Sequence, residues 1–144
     1  MKAFFGIILL CGLVSCKHPP FSLNYRDKKD QLQGRWKVYF PDTKQVYYKG
    51  RYKNSIPKKI TYFYRDGSIY RKEHFSGKGN IHTIFYHPNG KVELEGDASL
   101  VQNKDTSLYQ WQGPWQKYDS TGKHIEEQTY IRGQLIWVRK ITPN

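Results

Sequence analysis

The sequence predicts an all-β fold built from consecutive antiparallel hairpins that form one curved, extended sheet. Three observations carry that expectation. Aromatic and β-branched residues alternate with polar ones over short runs, a Pro/Asn/Asp/Gly turn signal recurs at similar intervals, and no stretch of useful length shows a helical period. The predicted repeat body spans residues 34–144.

Ahead of the body, "MKAFFGIILLCGLVSC" holds one basic residue, Lys2, followed by an apolar run from Ala3 to Val14. A helix needs about 20 apolar residues to cross a bilayer, so this run is too short to span one. A buried helix would show a polar face, and the run has none. Its basic start, apolar middle and small-residue end have the form of a secretory signal peptide, assigned to residues 1–15. The closing letters Leu13, Val14, Ser15 and Cys16 resemble the bacterial lipoprotein box. That resemblance implies a diacylglyceryl group on the Cys16 thiol, cleavage before Cys16, and a chain held in the cell envelope. By analogy, Lys17 in place of an acidic retention cue favours the outer membrane, periplasmic side or surface.

The chain has two cysteines. Cys11 would leave with the signal peptide and Cys16 would carry lipid, so the mature chain would keep no thiol for a disulfide, a metal or catalysis. Residues 16–33 ("CKHPPFSLNYRDKKDQLQ") are expected to form a lipid-anchored tether, since Pro19-Pro20 favours extended backbone and the polar tract lacks strand alternation.

From Gly34 the chain aligns on its turns. Tyr39, Tyr64, Tyr86 and Tyr118 each precede a turn, and Val46, Ile69, Val92 and Ile125 follow one. In "HPNGK", Pro88 presets φ, Asn89 tolerates the second turn position and Gly90 can take positive φ, which predicts a type I turn with a bulge glycine. Asp66-Gly67 and Thr121-Gly122 supply the same ingredients, whereas "PDTK" lacks the glycine. The stretch after Gly96 ("DASLVQNKDTSLYQ") reads as an irregular insertion. Alternation predicts half-buried strands, in which Ile81, Thr83 and Phe85 share a face, as do Val92 and Leu94. The last run, Leu135 to Val138 and Ile141, is apolar on both faces and is expected to lie under something.

With its repeats laid out, the chain resembles bacterial MORN-like repeat proteins, in particular the YwqK-type antitoxins. The resemblance covers about residues 34–135 and is carried best by "GPWQKYDSTGK" with "YIRGQL", and by "FYHPNGKVELEG". It departs at "PDTK", at "NSIPKK" where a glycine-containing turn would sit, and at the stretch after Gly96. It implies a binding or scaffolding role rather than an activity, and fold alone does not dictate function.

Candidate chemistry is sparse. Alternation places Glu93, Glu95 and Asp97 on one strand face, a spacing that suits acid/base work but equally suits cross-strand pairing with cations such as Arg71 and Lys72. The five histidines lack the spacing of a zinc site, and no hydrolase elbow, phosphate loop or His-Glu-x-x-His occurs. No catalytic residue, metal or cofactor is therefore assigned.

The formal net charge is +12. The runs "YYKGRYK", "PKKITYFYR" and "YRK" interleave rings with cations, as single-strand nucleic-acid surfaces do. The export signal argues against that partner. The expected partner of such a cationic surface is anionic: lipid headgroups, an acidic glycan or, in the leading reading, an anionic or acidic protein. The alternative is rings on one face with cations solvating the other. The expected contact residues are Tyr62, Tyr64, Arg65, Tyr70 and Arg71, with Trp111 and Trp115 on the later surface, because Trp, Tyr and Arg commonly anchor interfaces. The leading reading is an envelope-anchored, non-catalytic protein-binding or scaffolding module. Its alternative is an immunity or antitoxin protein that neutralises a toxin by stoichiometric binding.

Overall fold

The computed structural model describes residues 22–102 and 106–142. Residues 1–15, expected to form a signal peptide and including Leu13, Val14 and Ser15, and the expected lipidation site Cys16 lie outside the described residues. Ten strands follow one another: β1 (Tyr25–Arg26), β2 (Leu32–Tyr39), β3 (Val46–Lys53), β4 (Ile56–Phe63), β5 (Ile69–Gly77), β6 (Asn80–Tyr86), β7 (Val92–Gln102), β8 (Ser107–Tyr118), β9 (His124–Ile131) and β10 (Gln134–Lys140). They lie side by side in that order in a single sheet, each antiparallel to the next. The fold is thus the predicted series of consecutive hairpins.

Two turn chemistries alternate along it. In the first, Gly67, Gly90 and Gly122 take φ of 88°, 82° and 88°. Their N–H groups donate to the carbonyls of Tyr64, His87 and Asp119. The ladder slips by one residue beside each of these turns. This is the predicted turn with its bulge glycine. In "PDTK" Asp42 itself takes φ 59°, and the loop closes one residue wider through Phe40 N–H to Gln45 O. The second chemistry is a two-residue turn with both φ values positive: Asn54-Ser55, Lys78-Gly79 and Arg132-Gly133. Asn54 and Ser55 thus do without glycine what the other two turns do with it.

The described residues of the segment after Gly96 are not irregular. β7 and β8 continue past Ser99, where β6 ends its pairing, and remain in register to Gln102 and Ser107. β8 is bulged against β7, with Gly96 facing Trp115 and Asp97 facing Gln112, so Gly113 (φ 67°) and Pro114 are extra. The bend stacks the Trp111 indole on that of Trp115, with centroids 4.0 Å apart. It also brings the Tyr109 hydroxyl within 2.5 Å of Thr83 Oγ1. The extended hairpin therefore closes over one face of the sheet, and there the core forms from Ile81, Ala98 and Trp115, with Phe75, Phe85, Leu94, Trp111 and Tyr130 packed around them.

Two expectations at the ends need correction. The sheet begins upstream of residue 34: Tyr25–Arg26 pairs with Leu32–Gln33, and Leu23 bridges to Arg35. Asn24 donates from Nδ2 to Lys37 O and accepts Lys37 N–H on Oδ1. The Asp27 carboxylate accepts from Gln33 Nε2 and from the Lys29 and Gln31 amides, and these bonds, the Gln33 bond foremost, hold its pKa below the usual value. Residues 22–33 thus cap the first edge of the sheet rather than trailing from it. At the other end, among the described residues, nothing covers β10: it is the outermost strand of the sheet, pairs with β9 alone, and all seven of its residues are exposed.

Candidate functional site

Register assigns side chains to two faces with opposite character. One row across the strands reads Val38, Tyr48, Tyr62, Arg71, Phe85, Leu94. The ladder slips add a side chain to this face at each repeat, because Tyr47 and Tyr70 are the extra residues of their bulges. Tyr47 packs on Tyr48 and Tyr62, and Tyr70 packs on Phe85. The rings form a run from Tyr64 through Tyr70 and Phe85 to Trp111 and Tyr130, with successive centroids 4.9–5.9 Å apart. Such offset and edge contacts each add modestly to simple burial.

Of the predicted contact residues, Tyr62, Tyr64, Tyr70, Arg71 and Trp111 meet on this aromatic face. Arg65 lies in the neighbouring turn with its guanidinium 4.8 Å from the Phe40 ring centroid. Trp115 does not belong with them. It is 0% exposed, faces Gly96, lies under Trp111 and donates from Nε1 to Asp97 O. It is a core residue, because the bend of β8 folds the later part of the sheet over it.

Arg71 and Glu73 sit in the middle of the aromatic face. The Arg71 guanidinium lies 4.3 Å from the Tyr62 ring centroid, and its Nε is 3.3 Å from Glu73 Oε1. That distance makes an ion pair, but the alignment makes no hydrogen bond, and Nε has no hydrogen-bond partner. Burial raises the Glu73 pKa, while Arg71 and the Tyr62 and Tyr109 hydroxyls pull it back. Neither Glu73 nor Tyr109 stands out in the sequence, since only the fold of β8 brings them together.

The three acids suggested for paired chemistry are split. Glu93 is the extra residue of the bulge beside Gly90, and its charge bears on Tyr64 of the aromatic face. Glu95 and Asp97 are directed to the other face, where Glu95 accepts from the Tyr118 hydroxyl and Asp97 lies 2.9 Å from His82 Nδ1. Arg71 instead pairs with Glu73, and Lys72 lies over the Tyr86 ring. Strict alternation failed here because one bulge residue inverts everything before it. Among the described residues, no group of three His, Cys, Asp or Glu is placed to hold a metal ion.

The opposite face is cationic. Arg35 faces Arg51, which faces Lys59, and Lys59 faces His74. In the adjacent row Lys37 faces Lys49, and across Thr61 comes Lys72. A shallow groove on β2–β4 is lined by Leu23, Arg35, Lys37, Lys49, Arg51 and Lys59, with Thr61 as its polar neighbour. Like charges directly opposite one another in a sheet are unfavourable, so sheet stability does not account for this ladder. The i, i+2 spacing in Arg35-Trp36-Lys37 and Lys49-Gly50-Arg51 is its sequence signal, but the register is what aligns the cations.

An open sheet of bulge-turn hairpins, apolar on one side and charged on the other, defines a hairpin-repeat protein. Two segments, residues 80–97 and 111–132, match a family model described as a MORN repeat variant. They correspond to the β6–β7 hairpin through Gly96–Asp97 and to the β8–β9 hairpin from Trp111 through the Arg132 turn, so the chain carries MORN-like repeats. No curated protein and no solved structure matches the chain.

Proposed function

We propose that the chain is a bacterial envelope lipoprotein, held through Cys16, whose repeat sheet is a non-catalytic binding module for an acidic protein. The ladder of Arg35, Arg51 and Lys59 beside Lys37 and Lys49 supports this reading above all. It opposes like charges, which a fold tolerates best when another molecule supplies the counter-charge. Position fits as well. Residues 22–33 end the sheet beside these strands, so an anchor at Cys16 holds the basic face close to the membrane on which partners are met. The aromatic face, with Tyr64 and Tyr70 exposed around Arg71, offers a second contact region of the kind interfaces use.

The test is photo-crosslinking in intact cells from a reactive residue at position 51, followed by identification of what is captured. The expected product is an acidic protein, lost when Lys49 and Lys59 are changed to Glu and when Cys16→Ala releases the chain from the membrane fraction. One toxin-like protein captured at 1:1 would make the module an immunity protein. Equal capture by the Lys49→Glu/Lys59→Glu chain would remove the basic face from the proposal, and unchanged fractionation of Cys16→Ala would remove the anchor.

A further inference from the structure

The two edges of the sheet are treated differently. Residues 22–33 close the first edge, with Leu23 bridged to Arg35 and both main-chain groups of Lys37 bonded to the Asn24 amide. The last edge is open and apolar: Leu135, Ile136, Trp137 and Val138 of β10 are 44–54% exposed. An uncovered edge strand with apolar side chains on both faces is a site for pairing with another strand.

We propose that β10 is a self-association edge, at which a second copy of this chain adds its own β10 antiparallel to form a twenty-stranded sheet. Three observations favour a second copy over other occupants. The first is register. Ile141 N–H donates to Ile125 O across β9, so by alternation Trp137 and Arg139 address β9, and Val138 points its N–H and C=O outward. A two-fold axis at Val138 then sets Trp137 against Arg139 of the second copy and Ile136 against Lys140, and no cation meets a cation. A parallel arrangement would stack Arg139 on Arg139. The bulge at Ile136 falls at the end of this short pairing, not at its centre.

The second observation is charge. Residues 22–75 hold 14 Lys and Arg against 5 Asp and Glu, whereas residues 76–142 hold 8 against 7. Joining at β10 brings the near-neutral halves together. The basic strands β2–β5 lie roughly 24–38 Å from β10 at about 4.8 Å per strand. That is well beyond a Debye length of about 8 Å at physiological salt, so the two basic faces barely repel. The third is reach. The nine strand spacings between β1 and β10 cover about 43 Å, and residues 16–21, the part of the chain before Ser22 that cleavage would leave, extend only about 20 Å. On the proposed cleavage, the mature N-terminal segment therefore reaches less than halfway along the sheet toward that edge.

This inference stands apart from the proposed partner on the basic face. It is tested on residues 17–144, which contain all ten strands and no cysteine. Sedimentation equilibrium between 1 and 200 µM should show a monomer–dimer equilibrium, and Trp137→Glu should weaken it at least tenfold with the circular dichroism spectrum unchanged. In the otherwise unaltered chain, Val138→Cys should oxidise to a reducible dimer, because residues directly opposite in a hydrogen-bonded antiparallel pair stand about 5.5 Å apart at Cα, within disulfide range. Lys29→Cys, at the capped edge, should not. A chain that stays monomeric throughout the range would overturn the proposal, and so would a dimer indifferent to Trp137→Glu or one oxidising equally through Lys29→Cys.

Discussion

Gly96 closes the run "YHPNGKVELEG", and what it does is hold open the place of one indole ring. A methyl group built on it would stand 2.4 Å from the Trp115 ring. Directly opposite registers leave neither partner room to slide. Gly96→Ala should therefore cost ~1–3 kcal/mol through overpacking, read as a lower thermal midpoint. Gly50→Ala is the matched control: its methyl would meet only the outer edge of the Tyr52 ring, which can swing aside, so the loss should be smaller. Titration at single residues is testable as well. Burial pushes the Tyr62 phenol from 10.0 up to about 12, the Glu73 charge adding to it, and Tyr118 rises to about 12 through burial and its bond to Glu95. The folded chain keeps these protons at a pH where the unfolded chain loses them. Stability is thus unaffected by these groups below pH 10 and falls as pH rises from 10 toward 12. Urea midpoints across that interval should fall less steeply in Tyr62→Phe; an unchanged slope would show that Tyr62 titrates normally.

Among elements, the turns and the ladder behave in opposite ways. The β6–β7 and β8–β9 turns reinforce each other: Asn89 Nδ2 donates to Ser120 O, Lys91 Nζ to Thr121 O, and His87 Nε2 lies 3.0 Å from Tyr118 O. A repeated turn is thus also a lashing between repeats, which gives the recurrence of "HPNGK" and "STGK" a physical reason. The cationic ladder works against its own strands. Placing an acid between Arg35 and Lys59 should relieve it, so Arg51→Glu should stabilise the sheet by roughly 0.2–1 kcal/mol at low salt. That gain should shrink as salt rises, while capture of an acidic partner falls. A variant that loses stability and keeps its partner would show the ladder to be structural. Turn positions were legible in the sequence because Gly, Asn and Asp in the left-handed region are a local requirement. Faces were legible only between bulges. Tyr47, Tyr70 and Glu93 are each the second of two residues opposite one, and nothing in an alternating pattern marks which side of a turn carries the extra residue.

For the whole molecule, what matters is that it is a single sheet with unequal ends. The first end is basic and capped by residues 22–33, and the last is near neutral, apolar and open. The sequence alone determined the all-β class, the hairpin order, the bulge-glycine turns and the overall basic charge, since each follows from local preference or simple counting. Leu13-Val14-Ser15-Cys16 only resembles the bacterial lipoprotein box, a resemblance that rests on a short linear pattern and needs no fold. The tertiary structure decided what depends on residues distant in the chain. The bend at Gly113 and Pro114 moved Trp115 from the expected surface into the core and brought Tyr109 to Thr83. Register gathered cations from three strands, Arg35, Arg51 and Lys59, into one ladder and parted Glu93 from Glu95 and Asp97. Strand order left Leu135 to Val138 at an edge, although their apolar character reads locally as a buried strand. Local pattern records what a residue prefers, and only packing determines whether anything arrives to satisfy it.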